Sequence, residues 1–510
     1  MHFALFSRHY IEERSGVLKE LEHPVTSVPK GRRFCTICGE IKRETHFEGD
    51  STHCKACCEN MLHTKVRVYG VLVFVCMLVL CAAAVFLGVH TVSFCMTTRR
   101  ADDLAQEKLL YDACDLYENA VSGISDINRS LLLRGEQTEE EESADAPLFF
   151  TPGTHTWERY CAVYARTQSD YEAATLIENS LNADAVKKNA AFSGFIEAKK
   201  AYEDVYARVD AVSQENPYES IRDMPYDKVI AVLDEAEKEN DSSYYKGYAQ
   251  LFKGSATQYY HTDDPASALP YYEKALEYLP DEYGNIYSAQ AQIAQQTEDW
   301  KLLRSAGERM LECNRSYTDA YEWLVYASVR LNEPDAAQSA CDALHAVAPE
   351  SVLYDKLLTL SALLQGDADK AALCRDEAAE KWNQKASETF STMLADQALP
   401  AASQRFMREY AQFASYAAIV CLLEGDNEAA LDWAYERGFN YGYYLEYLTG
   451  AGAITQQTID IAYICASLTK DQDVSDTVSQ MGEPGEAAQQ VIDGKLSLRQ
   501  AFLGEEAQLL

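Results

Sequence analysis

DPASALPYYEKALEYLP, residues 264–280, decides the fold. Ala268, Tyr272 and Ala275 alternate small and large apolar side chains at helical spacing, and Pro280 follows where a helix has to stop. The same slots are refilled downstream. EDWKLLRSAGERMLECN (298–314) supplies Leu302, Ala306 and Asn314, and EPDAAQSACDALHAVAP (333–349) supplies Ala337, Cys341, Leu344 and Pro349. GDADKAALCRDEAAEKWN (366–383) supplies Ala371, Ala378 and Asn383, so the first slots step by 34, 35 and 34 residues. A period of this length, with small residues at fixed points, predicts stacked antiparallel helix pairs whose backbones approach closely. Partner helices precede these segments. Phe252, Ala256 and Tyr259 fill the expected slots of the first, and Tyr321, Leu324 and Ser328 those of the third. Gly366-Asp367 and Gly425-Asp426 read as the turns between paired helices.

Over residues 249–383 this pattern resembles the tetratricopeptide-repeat family. The match is degenerate, because Ala256, Gln290, Val325 and Ala362 stand where the family has glycine, and another α-solenoid class remains the alternative. The resemblance implies an all-α solenoid of antiparallel helix pairs with a groove for an extended peptide or a partner helix. Weaker copies flank the repeats. MPYDKVIAVLDEAEKEN (224–240), SDYEAATLIENSLN (169–182) and EGDNEAALDWAYERGFN (424–440, with Ala430 and Ala434) read as irregular helix pairs, and 193–215 as one amphipathic helix. YAAIVCLL (416–423) is too short to span a membrane and reads as a buried helix segment.

Further towards the amino terminus, residues 68–98 form 31 consecutive positions without Asp, Glu, Lys or Arg. About 20 apolar residues span a hydrocarbon core, so Val68–Val89 predicts a single transmembrane helix. The stretch lies too deep for an ordinary signal peptide, and Leu80 before Cys81 argues against a lipoprotein site. Residues 1–67 carry a net charge of +2 and residues 100–510 a net charge of −38. Close to the span, however, Lys55, Lys65 and Arg67 face Arg99, Arg100 and Lys108, so flanking charge gives little orientation.

The cysteines give more. Cys35-x-x-Cys38 and Cys54-x-x-Cys57, 15 residues apart, are spaced to present four thiolates to one structural zinc ion, with Gly39 behind the first pair. His53 and Cys58 flank the second pair as substitutes. Cys35, Cys38, Gly39, Glu40, Lys42, Phe47, Cys54, Lys55 and Cys57 also resemble a small bacterial zinc-ribbon type, which in some proteins precedes a nuclease domain with a His-Asn-His core. Here the chain runs on into the uncharged stretch, and that activity is not implied. Reduced thiols and zinc place the knuckle in the cytosol and the large body outside the cell membrane. The seven body cysteines, Cys114 to Cys465, are odd in number and sit where repeats want small apolar side chains. They read as core thiols, which argues mildly against an oxidising exterior.

The expected organisation is an amino-terminal segment (1–30), the knuckle (31–62), the span (68–96) and a helical stalk with an acidic linker (97–150). Irregular repeats (151–245), tetratricopeptide repeats (246–384) and further helical repeats (385–510) complete the chain. No nucleophile elbow, phosphate loop, HExxH or dinucleotide motif is present, so no catalytic residue is assigned and the chain reads as a non-enzyme. The 33 tyrosines suit protein interfaces, and the acidic body disfavours nucleic acid. Lys30, Arg32, Arg33, Lys42 and Arg43 around the knuckle could touch nucleic acid or anionic lipid, although Glu40, Glu44 and Glu48 balance them. The leading expectation is a membrane-anchored interaction scaffold. Its alternative is a transmembrane sensor that couples the solenoid to a cytosolic zinc ribbon.

Overall fold

The computed structural model describes residues 29–62, 68–131, 151–181, 189–217, 224–395, 399–450, 452–504 and 507–510. The acidic run 135–147, read as a linker, lies outside them. Two compact units divide the chain, residues 1–91 and 92–510.

In the first unit, β1 (Arg32–Phe34) pairs antiparallel with β2 (Ile41–Arg43), with Phe34 opposite Ile41. Gly39 turns the chain between them at φ +69°, a conformation that favours glycine. A bridge between Phe47 and Cys54 then leads into α1 (Lys55–Leu62).

A long helix, α2 (Val68–Gln106), carries the uncharged stretch. All ten residues from 73 to 82 are exposed, among them Phe74, Met77 and Leu80. Side chains at 83–88 lie outside the described residues. Among the described residues no helix is long and apolar enough to cross a membrane, so the span expected over Val68–Val89 is not established.

The second unit is a solenoid of paired helices. After a break at Lys108 (φ +63°), α3 (Leu110–Leu131) buries Leu110, Ala113, Tyr117 and Val121 in a cluster shared with Tyr160 of α4 (Thr151–Thr167). Asn314 accepts a hydrogen bond from the Leu110 amide, fixing α3 to the repeats. Next come α5 (Asp170–Ser180), α6 (Ala190–Glu215), α7 (Tyr226–Glu239) and α8 (Ser243–Tyr260). The periodic core follows as α9 (Leu269–Tyr278), α10 (Tyr283–Gln296), α11 (Trp300–Cys313), α12 (Thr318–Arg330), α13 (Pro334–Val347), α14 (Val352–Leu364) and α15 (Ala368–Leu394). The small-residue slots do what the sequence requires of them: Ala268, Ala275, Ala306, Ala337, Cys341, Ala371 and Ala378 are all fully buried. Burying such side chains lets neighbouring helices approach closely. Side chains also tie equivalent positions of adjacent repeats. Tyr248 to Glu282, Gln258 to Gln292 and Lys356 to Glu322 are hydrogen-bonded pairs, each 34 residues apart.

The first repeat departs from the expected register by two residues. Gln250, Lys253, Gly254 and Thr257 are buried in α8, whereas Phe252 and Ala256 are half-buried and Tyr259 is exposed. The glycine missing from the sequence pattern is present after all, as Gly254: a Cβ there would lie 2.9 Å from the Tyr272 ring. The connection that follows is also irregular, since α8 runs on to Tyr260 and a turn plus a 3₁₀ segment (Pro265–Ala268) precede α9. In the later repeats Gln290, Val325 and Ala362 are buried at the expected positions.

Gly366 (φ +76°) and Gly425 (φ +83°) make the expected turns, and Asp367 and Asp426 cap the helices that follow. Asn383 does not end its helix, because α15 continues to Leu394 and Asn383 accepts the Tyr410 hydroxyl at 2.7 Å. The tail of the fold comprises α16 (Ala401–Glu424), α17 (Asn427–Leu431), a π-helical run (Asp432–Phe439), α18 (Asn440–Thr449), α19 (Gln456–Thr469), α20 (Gln472–Val478), α21 (Glu486–Ile492) and α22 (Leu498–Phe502). Tyr416–Leu422 is buried throughout in α16. All seven body cysteines are unpaired, and five of them are buried.

Candidate functional site

Two places carry chemistry. In the knuckle, the thiols of Cys35, Cys38, Cys54 and Cys57 lie within 4.8 Å of one another and could hold a metal ion. Backbone hydrogen bonds close the turn after the first cysteine of each pair, and one amide faces a sulfur. Gly39 N–H returns to the Cys35 carbonyl at 3.0 Å, Cys57 N–H to the Cys54 carbonyl at 2.9 Å, and the Cys54 amide donates to Cys35 Sγ at 3.3 Å. Lys42 Nζ approaches Cys54 Sγ at 3.6 Å. Backbone donation from Cys38 above all brings the Cys35 thiol down to about 6, and that from Cys57 lowers Cys54. The Cys57 thiol, hydrogen-bonded to Cys54 and crowded by the others, is pushed up to about 12. Four thiols this close cannot all ionise without a cation among them, and a closed four-sulfur donor set suits structural zinc. The gathered group does not include His53 or Cys58; His53 Nδ1 pairs with Thr36 Oγ1 at 2.9 Å. Around it, Arg33 lies over the Phe47 ring at 5.3 Å and Lys42 pairs with Glu40 at 3.1 Å.

In the solenoid, α5, α6, α8, α9 and α10 enclose an open cavity of about 620 Å³. Its wall is aromatic. Tyr202 is the hub, with ring centres 4.5 Å from Tyr171, 5.4 Å from Tyr248 (edge-on, 86°) and 5.4 Å from Phe252. Phe252 and Tyr259 face this space because of the two-residue register shift of α8. The polar part is fixed by hydrogen bonds: Tyr272 donates to Gln258 Oε1 at 2.7 Å, and Gln258 Nε2 donates to Gln292 at 2.9 Å. Glu282 is 2% exposed and accepts from Tyr248 Oη at 3.2 Å and Asn285 Nδ2 at 2.7 Å.

No protein-family model matches this chain, and no curated protein does. Among solved structures, one titled "Structure of Naa15/Naa10 bound to HypK-THB" aligns with 81% of this chain and 68% of its own. It is 14% identical, at a TM-score of 0.30, too low to carry an argument about function. The function has to be argued from the sites themselves.

Behind the cavity acids gather: Asp170 and Glu282 are buried, and Asp281 is half-buried. Burial, reinforced by Asp281 and Glu282, pushes the Asp170 carboxyl up to about 7, and burial also raises Asp281 and Glu282. The opposing cation is Arg166, 4.0 Å from Asp281. The four thiols grouped by the sequence spacing are the ones that the structure brings together. Sequence reading did not find the cavity, whose lining comes from five helices and the connections between them.

Proposed function

We propose that this chain is a membrane-anchored interaction scaffold without chemistry of its own, binding an extended protein segment in the solenoid cavity. The observation that carries this is the tyrosine-lined cavity between successive helix pairs. Tyrosines offer broad apolar contact with a polar tip and lose little freedom on binding, which is why they anchor interfaces. The membrane part rests on the row of exposed apolar side chains on α2, including Val73, Phe74, Met77 and Leu80, which water solvates poorly. The knuckle then sits on the cytosolic side with a structural zinc on Cys35, Cys38, Cys54 and Cys57, and the body lies outside. Crosslinking of the membrane-embedded full chain, read by mass spectrometry, tests the scaffold. Partner crosslinks should concentrate on α8 and α10, and a map confined to other faces would overturn the cavity as binding site.

A sensor that couples the body to the knuckle is the second reading, favoured by one observation: α2 runs unbroken from Val68 to Gln106. In this case deletion of residues 1–60 should abolish signalling while leaving crosslinks at the cavity intact.

A further inference from the structure

We infer that the cavity selects a basic extended peptide, holding a Lys or Arg side chain among its tyrosines; this rests on the scaffold reading and names the partner's chemistry. Among the described residues the lining contains two carboxylates, Glu172 and Glu282, and no Lys, Arg or His. Glu172 is exposed at the rim, and Glu282 is buried in the floor with Asp170 and Asp281 behind it. Desolvation raises Glu282 and, behind it, Asp170 and Asp281 above their ordinary range, and like charge adds to the rise in Asp170 and Glu282. A cation entering from the open side relieves both effects.

The aromatic wall points to the same ligand. The Tyr202 ring packs against both Tyr171 and Phe252, and Tyr259 at the same cavity is 48% exposed. A guanidinium or ammonium group is attracted to such ring faces within about 6 Å, and its alkyl stem gains apolar contact. The pairing is already used nearby, where Lys199 Nζ stands 5.8 Å from the Tyr171 ring centre. An acidic peptide would meet Glu172 and Glu282 with like charge, and a neutral one would bring no cation to them. Nucleic acid would be repelled by a body of net charge −38 over residues 100–510. The same field draws basic partners in.

The test uses the full chain in detergent micelles and fluorescence anisotropy with a labelled nine-residue peptide of alternating serine and lysine. Matched peptides carry glutamine or glutamate in place of lysine. The lysine peptide should bind at least tenfold more tightly than the glutamine peptide, and the glutamate peptide should not bind. Glu172→Gln and Tyr259→Ser, both at exposed positions that folding tolerates, should each weaken the lysine peptide severalfold, and Glu282→Gln more. Glu388→Gln, an exposed carboxylate elsewhere on the body, should leave binding unchanged. Equal weakening by Glu172→Gln and Glu388→Gln would mean diffuse attraction to an acidic surface and overturn the inference. Equal binding of the lysine and glutamine peptides would overturn it while leaving the scaffold intact. Binding of none of the three would also overturn it, and the crosslink map would then decide the scaffold separately.

Discussion

Asp170 is the residue whose environment most contradicts its charge. It is 5% exposed at the first turn of α5, and burial, Asp281 and Glu282 together push its carboxyl up to about 7. The helix amino terminus favours a carboxylate by roughly 0.3–1 kcal/mol, less than burial costs it. For an acid whose folded value is raised, the native state binds the extra proton. The associated stability is therefore complete below about pH 4 and lost as pH rises through about 7. Asp170→Asn keeps the shape and removes the titration. Its stability should exceed the parent's at pH 8 by about 1–3 kcal/mol after allowance for solvent screening, read as a higher thermal midpoint, and the gap should narrow at pH 5 and close below about pH 4. Equal midpoints at both pH values would show that Asp170 is solvated in solution. Nothing in the string SDYEAATLIENS announces this behaviour, because Asp170 reads there as an ordinary first-turn acid. Its shift comes first from burial and then from Asp281 and Glu282, more than 100 positions away.

Among the elements, the knuckle was the most legible and the least able to stand alone. Two CxxC pairs state their purpose locally, since each sets a tight turn whatever the rest of the chain does. The apolar core of this segment, by contrast, consists of Cys35, Phe47 and Cys54, with Cys57 packed against them. Two three-residue strands and one short helix cannot fold on that, and a structural zinc supplies on the order of 10–16 kcal/mol. Purified chain should therefore carry about one zinc, measured by plasma mass spectrometry. Cys38→Ser should lose it and open residues 29–62 to trypsin, with the melting of the body unchanged. Undiminished protection in a zinc-free variant would sink the assignment. The repeat helices were legible for a different reason: alanines recur at a period of about 34 residues because a larger side chain there would force helices apart. The register of α8 was not. Gln250, Lys253 and Thr257 are polar and look like surface, yet Lys253 is 3% exposed and held by Asp234 at 2.6 Å and Glu237 at 2.7 Å. A buried ion pair hides from any reading based on apolar periodicity. The π-helical run Asp432–Phe439 was hidden likewise, since an extra residue per turn leaves no compositional trace.

At the scale of the molecule, the question is what solvates α2. Exposed large apolar side chains follow one another without a polar face: Val73, Phe74, Val75, Met77, Leu78, Val79 and Leu80 are each at least 50% exposed. A helix of the body behaves otherwise. α11, for instance, buries Leu303, Ala306 and Met310 and turns Lys301, Glu308 and Glu312 outward. In water the α2 surface would associate; in lipid it is already solvated. The flanks agree, since Arg67 and Arg99 bracket an uncharged run that, at about 1.5 Å per residue, exceeds the roughly 30 Å of a hydrocarbon core. The chain should therefore remain in the pellet when membranes are washed with alkaline carbonate. Each arginine at the centre of a spanning helix costs about 2.5–3.5 kcal/mol of insertion free energy. Val79→Arg with Leu80→Arg should thus shift most of the chain to the supernatant, while its helical content, nearly all of which belongs to the body, changes little by circular dichroism. Quantitative release of the parent chain by carbonate would remove the anchor from the proposal. The proposal for the cavity between α5 and α10 would be untouched by that result, because no described residue of α2 lines it.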